Sequence, residues 1–158
     1  MQVFFNNDAH TNEQKNERST SYIAAIEEEI ESSNESYTKC GIAMHKQCDT
    51  VGGKKKWSMY QDWGNNSTLV TNIPERVIEA NTTGLSYAIL LNEEGKVVPL
   101  PSNTPSLYAY LPMEDREHFL PFYVNADFML KSQREGAKPT NPWNHFIFYN
   151  IGLKIPEW

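Results

Sequence analysis

Apolar residues recur along the chain in two rhythms. Ile23, Ile26 and Ile30 fall at i, i+3 and i+7, with Glu27, Glu28, Glu29 and Glu31 covering the rest of the circumference. Ser19, Thr20 and Ser21 offer caps ahead of them, so the spacing predicts an amphipathic helix over 21–32, one face docked and the other wet. Trp143, Phe146, Ile147 and Ile151 follow Pro142 at 0, +3, +4 and +8, a stripe that predicts a C-terminal helix. Between them, Pro74 suits the first turn of a short helix over 74–80, closed near Gly84.

The second rhythm is that of strands. Residues 2–5 (QVFF), 57–60 (WSMY), 85–91 (LSYAILL), 106–111 (SLYAYL, ending at Pro112) and 120–130 (LPFYVNADFML) are β-prone. The fifth run carries Pro121 near its start, where a proline does least harm. LSYAILL turns through NEEG at 92–95 into 96–100 as a hairpin. Gly52-Gly53 reads as a flexible joint and Gly64-Asn65-Asn66 as a turn. Residues 36–48 fit neither period, while 6–18, 113–118 and 131–140 are polar or charged and read as loops. The expected fold is α+β: a mostly antiparallel sheet with an N-terminal amphipathic helix, a short middle helix and a C-terminal helix. The expected organisation is a strand and polar arm over 1–18, then a single domain or lobe over 19–158, as a fragment of a larger protein.

Composition narrows the partners. The chain has 158 residues, 39% of them hydrophobic and 22% charged, enough apolar matter for a core of ordinary size. Acidic residues outnumber basic ones 20 to 14, for a net charge of −6, which argues against a chain wrapped in nucleic acid phosphates. No apolar run is long enough to span a bilayer, and MQVFFNNDAH lacks the basic leader and apolar stretch of a signal peptide. With two cysteines and no disulfide framework, the expected location is the cytoplasm, and the sequons at Asn34, Asn65, Asn66 and Asn81 carry little weight there.

Candidate chemistry is sparse. Cys40, His45 and Cys48 lie close together, but their spacing is not that of a zinc finger or ribbon and no fourth ligand is in view, so no metal site is expected; a half-buried pair of thiols on a strand is the plainer reading. His10, His45, His118 and His145 are scattered, with none placed beside a cysteine. Asp8, Asp62 and Asp115 read as surface carboxylates. Asp127 stands inside an apolar run, where it is either special or on the exposed face of an edge strand. Lys54, Lys55 and Lys56 beside Trp57 and Tyr60 read as a solvated strand end. Phosphate-cradling glycine motifs and the Gly-x-Ser-x-Gly elbow are absent. What remains is Arg134, in the loop Lys131-Ser132-Gln133-Arg134-Glu135-Gly136, directly after a long strand that can aim its permanently charged guanidinium outward, although on the sequence alone an ordinary surface arginine is the plainer reading.

The stretch LPFYVNADFMLKSQRE, with PWN after it, resembles a segment of the sacsin-like proteins, relatives of the ninety-kilodalton heat-shock chaperone with its GHKL-type ATPase. The matching residues are Leu111-Pro112, Leu120-Pro121-Phe122, Asn125-Ala126-Asp127-Phe128, Ser132, Arg134, Glu135 and Trp143-Asn144. The resemblance covers 106–150, with a fainter likeness at Trp57 and 86–89, while 1–56 resembles nothing in that family. It implies a middle-type segment that follows the nucleotide-binding lobe, since this chain has neither the glutamate–asparagine helix nor the Asp-x-Gly-x-Gly turn that hold ATP and magnesium there. The implied partner is an N-terminal ATPase lobe in cis or in trans, with a protein client beyond it; ATP and magnesium belong to that lobe, and no cofactor is bound by this chain alone. The isolated chain is then not an enzyme but part of an ATPase. In the chaperone an arginine in a Ser-Arg-Glu sequence touches the γ-phosphate; Arg134 is its nearest equivalent, with one extra residue between it and Ser132. Ser132, Gln133 and Glu135 would form the sensing loop, and Asn125, Asp127, Phe128, Trp143 and Asn144 support the motif match. The other function open to the sequence is a stand-alone interaction module, docking through a sheet edge or through the aromatic group Trp143, Phe146, Phe148, Tyr149 and Trp158.

Overall fold

Residues 2–4, 22–114 and 118–155 are described in the computed structural model. In chain order the elements are β1 (Gln2–Phe4), β2 (Tyr22–Glu31), α1 (Asn34–Lys39), β3 (Met44–Val51), β4 (Lys54–Trp63), β5 (Asn66–Leu69) and α2 (Glu75–Glu79). There follow β6 (Thr82–Leu91), β7 (Val97–Val98), β8 (Leu107–Ala109), β9 (Leu111–Pro112), β10 (Tyr123–Ala126), a 3₁₀ turn (Ser132–Arg134) and α3 (Pro142–Lys154). The fold is α+β with mostly antiparallel sheets and three helices, the last of them C-terminal. Among the described residues no helix is long and apolar enough to cross a membrane.

The spine of the molecule is the ladder between β2 and β6, which pair antiparallel from Tyr22↔Leu91 to Glu31↔Thr82. β1 extends it on one side, while β10 and β7 join β6 on the other, and β8 and β9 complete a sheet in the order β1-β2-β6-β10-β8-β9. Among the described strands only β10 and β8 run parallel. The strand β2 corrects the helix expected over 21–32, of which Ser21 lies outside the described residues. Ile26 and Ile30 are four apart, a spacing that puts two side chains on one side of a strand as readily as of a helix. The helix propensity of the alanines and glutamates is worth only tenths of a kcal/mol per residue. Against it stands a full-length ladder that satisfies the backbone and turns Ala24, Ile26 and Ile30 to the core. Glu28 shares that inner side, where its Oε2 meets Lys154 Nζ of α3 at 3.3 Å.

The smaller sheet, β3-β4-β5, is a meander. Gly52-Gly53 is not a loose joint but the two-residue turn between β3 and β4, with φ of 58° and 76°, a left-handed pair suited to a tight hairpin. Gly64-Asn65 closes β4 onto β5 as a second two-residue turn, with positive φ at Gly64 alone. Residues 36–48 divide between α1, capped by Ser33 Oγ accepting from Ser36 N–H, and the start of β3. The middle helix is shorter than expected, with Pro74 as its cap and its end at Ala80; Gly84 belongs to β6.

One core joins these parts. Leu85, Tyr87, Leu107, Val124 and Ala126 from the large sheet meet Met44 and Met59 from the small one and Val70 just past β5, with Tyr37, Val77 and Ile78 from the short helices. The stripe Trp143, Phe146, Ile147 and Ile151 is fully inside, as its spacing predicts. Tyr37 meets Phe146 edge-on at 4.7 Å between ring centroids. Two expected strands are interrupted. The run 106–111 breaks into β8 and β9 at Tyr110, whose φ is 63°, and only Tyr123–Ala126 of the run 120–130 is a strand.

Candidate functional site

The loop carrying Arg134 is built from its neck outward. Beyond β10 the chain leaves the sheet, and an isolated bridge, Leu130↔Ala137, brings its two limbs together. Lys131 N–H donates to Gly136 O at 2.8 Å and Lys138 N–H to Met129 O at 2.9 Å. From α3, the fully buried Asn144 clamps that neck. Its Oδ1 accepts from Met129 N–H at 2.8 Å, while its Nδ2 donates to Met129 O at 2.8 Å and to Lys138 O at 2.9 Å. Trp143 reaches the same limb, its Nε1 donating to Asp127 O at 2.8 Å. Phe128 is buried and lies 5.2 Å from Phe148. The Asp127 side chain accepts from Thr83 Oγ at 3.2 Å; it is half-buried just past β10, a strand inside the sheet rather than at its edge.

At the tip, Arg134 folds back instead of extending into solvent. Its Nη2 donates to Ala109 O at 3.0 Å and to Leu111 O at 3.2 Å, the two carbonyls that flank Tyr110. Tyr110 N–H in turn donates to Asn125 Oδ1 at 2.9 Å. Asn125, Asp127, Phe128, Trp143 and Asn144, scattered over 20 positions from 125 to 144, therefore converge on one loop and the corner it rests on. Ser132, Gln133 and Glu135 are exposed around the half-buried Arg134. A cleft of about 720 Å³, lined by Met113, Glu114 and Phe119 together with 102–105, adjoins the loop through Glu114, whose N–H donates to Arg134 O.

The backbone here is strained. Five non-glycine residues among the described ones have positive φ: Asn72, Asn103, Tyr110, Gln133 and Arg134. Asparagine enters that region at little cost, whereas for other side chains it costs roughly 1–2 kcal/mol per residue. The other three meet at one guanidinium. Arg134 also lacks an ion-pair partner among the described residues, and two of the five N–H donors of a guanidinium are committed to carbonyls. No other acceptor for that guanidinium occurs among the described residues.

The other candidates separate. Cys40 is half-buried at the end of α1 and Cys48 exposed on β3, so they are not a pair of thiols on one strand. No group of three or more metal-ligating side chains occurs among the described residues. His45 turns to the other side of β3 from Cys48, where its Nδ1 lies 2.9 Å from Asp62 Oδ2 and its ring stacks on Tyr60 at 5.3 Å. Ser67 Oγ donates to Asp62 Oδ1 at 2.6 Å, and that hydroxyl, with His45, holds the Asp62 carboxyl below its usual range. Ser67 thus bonds the carboxylate, whereas histidine activation of a serine needs it on the imidazole. Lys46 was not singled out in the sequence. Its Nζ donates to Ala80 O at 2.7 Å and to Ser32 Oγ at 3.0 Å, and burial lowers its pKa to about 8. Ser32 is itself fully buried, so this pair ties the β2–α1 joint to the α2–β6 joint and offers no substrate a way in.

Sequence reasoning missed Tyr110 and the two carbonyls beside it. No signal in the sequence marks a tyrosine inside SLYAYL as left-handed. The aromatic group at the C-terminal end faces mostly inward: Trp143 and Phe146 are buried, Phe148 half-buried and Tyr149 exposed, while Trp158 lies outside the described residues. Compared with known proteins, the chain matches no family model, no curated protein and no solved structure.

Proposed function

We propose that this chain is a middle-type segment of a chaperone-like ATPase of the cytoplasm, in which Arg134 couples the nucleotide state of an N-terminal ATP-binding lobe, in cis or in trans, to the rest of the machine. ATP and magnesium are held by that lobe. One observation carries the reading: an arginine with no anionic partner among the described residues, set on a clamped loop where three strained residues converge. Strain of this kind gathers at functional sites, where the surrounding structure over-determines an unfavourable conformation. An always-charged guanidinium brought to a terminal phosphate stabilises the charge that develops as the phosphoryl group transfers, and arginines supplied this way are worth on the order of 10³–10⁵ in rate in other NTPases. The same contact reports nucleotide state, because the partner leaves with the γ-phosphate. The clamp by Asn144 and Trp143 supports the role, since a group that meets a transition state works best when it is pre-positioned.

The test is ATP turnover by the polypeptide or complex that carries the nucleotide lobe, with Arg134→Ala against wild type. Turnover is expected to fall at least 100-fold while nucleotide affinity and thermal stability stay within a factor of two and a few degrees. Unchanged turnover would remove the assignment.

A second reading, a protein-interaction module without catalysis, draws on the small sheet. Its edge strand β5 is exposed along its length, and Trp63 and Leu69 beside it are largely solvent-facing. An open edge flanked by exposed apolar side chains is a template for an added strand. Retained partner capture by the Arg134→Ala protein, with no ATPase in the complex, would favour that reading.

A further inference from the structure

The bend that receives Arg134 has no apolar explanation. Tyr110 is 72% exposed, so its ring is not what holds the residue at a φ of 63°. A bulky side chain relaxes to negative φ unless something prevents it. The polar contact that does so is the 2.9 Å hydrogen bond from Tyr110 N–H to Asn125 Oδ1. Asn125 is well placed to impose it, because β10 lies inside the sheet, with Asn125 paired to Ser86 of β6 on one side and Tyr108 of β8 on the other. The bend in turn decides where two carbonyls point. Ala109 and Leu111 pair across Tyr110, and in this conformation both of their oxygens face Arg134 Nη2.

We infer that Asn125 is a positioning residue for Arg134: it locks the left-handed Tyr110 corner so that the carbonyls of Ala109 and Leu111 hold the guanidinium in one orientation, with its remaining N–H donors presented to an oxyanion. The identity of that oxyanion as a terminal phosphate rests on the function proposed above; the positioning itself does not. With the acceptor gone, Tyr110 returns to negative φ, the two carbonyls diverge, and Arg134 becomes an ordinary mobile surface arginine.

Heteronuclear relaxation of the Arg134 Nε–H in the ¹⁵N-labelled chain reads this without any ligand. In the wild type its order parameter is expected near the rigid value of about 0.85, and in Asn125→Ala it drops below about 0.6. Asn125→Asp keeps an acceptor on the same atom and leaves Arg134 as ordered as in the wild type. Glycine enters positive φ without strain but is not held there, so Tyr110→Gly in the Asn125→Ala background relieves the strain and leaves Arg134 mobile. An Arg134 that stays rigid in a folded Asn125→Ala protein overturns the inference, as does an Asn125→Asp protein that behaves like the alanine variant. If Asn125→Ala does not fold, the double variant, relieved of the strain at position 110, decides: folded with a mobile Arg134 it supports the inference, and unfolded or with a rigid Arg134 it defeats it. Failure of the ATPase test with these relaxation results intact would remove the phosphate and leave the positioning.

Discussion

Replacing Asn144 by leucine deletes the clamp on the Arg134 loop while keeping nearly the same volume. Three hydrogen bonds go, but their loss is uneven. Met129 O keeps Lys138 N–H as a donor, and Lys138 O keeps a longer bond of 3.3 Å from Asn141 N–H. Met129 N–H loses the one partner it has and is left unsatisfied in the interior. An orphaned buried donor costs about 1–3 kcal/mol, and each of the two other lost bonds about 0.5–1.5 kcal/mol. The expected loss is therefore about 2–6 kcal/mol, a large fraction of the ~5–15 kcal/mol that stabilises an ordinary domain. For a domain of this size it lowers the melting temperature by about 4–24 °C. Urea titration followed by tryptophan fluorescence measures it directly, with the buried Trp143 as the adjacent reporter. Asn144→Asp sharpens the test, since a carboxylate accepts from Met129 N–H but faces the oxygens of Met129 and Lys138 as an acceptor against acceptors. Its folded pKa is raised, so its deficit against wild type narrows as pH falls and the protonated carboxyl regains a donor. A leucine variant within about 1 kcal/mol of wild type would refute the clamp, because no interior donor can be orphaned that cheaply.

Two further outcomes follow from buried charge. Lys46 has a folded pKa of about 8, below its unfolded value, so the unfolded chain binds more protons between about pH 8 and the ordinary lysine range. Wild type therefore gains stability relative to Lys46→Met as pH rises through 8, measured as the difference between urea midpoints at pH 7 and 9.5. Tyr37 and Cys40, whose ionisation burial also resists, are common to both proteins and cancel in that difference; a difference that does not change with pH would refute the depressed lysine. At the Glu28–Lys154 pair, Lys154→Met leaves a carboxylate on the inner side of β2, whereas Glu28→Leu replaces it by an apolar group. Thermal melts are expected to rank Lys154→Met as the more destabilising, and the opposite order would show that Glu28 is adequately solvated without its partner.

The resemblance that led to Arg134 had no counterpart in composition or charge, and the residues that accompany it gain a physical meaning from the fold. Asn125 in NADF and the Trp-Asn pair of PWN are separated by a polar loop, yet hydrogen bonds from each converge on the same corner and neck. That convergence was not legible in the sequence, since it depends on α3 packing across the sheet. Tyr110 could not be found at all, because positive φ in a β-prone run leaves no trace in residue type. His45 and Asp62 were each seen, but with other roles: the hairpin register, not sequence distance, brings them together.

By itself the sequence determined what depends on short range and on residue chemistry: the class of fold, the turn at Gly64-Asn65, the hairpin at NEEG and the apolar stripe of α3. In each, the local preference and the global demand for burial point to the same conformation. Tertiary structure decided the cases where they differ. Residues 22–31 carry a helical spacing, yet β6 offers them a ladder of hydrogen bonds along their whole length that a few tenths of a kcal/mol of propensity cannot outweigh. The orientation of Arg134 was likewise decided at long range, by carbonyls 23 and 25 residues away held open by an asparagine on a third strand. Hydrogen bonds between distant backbone segments exist only once the chain has folded, and this site is made of them.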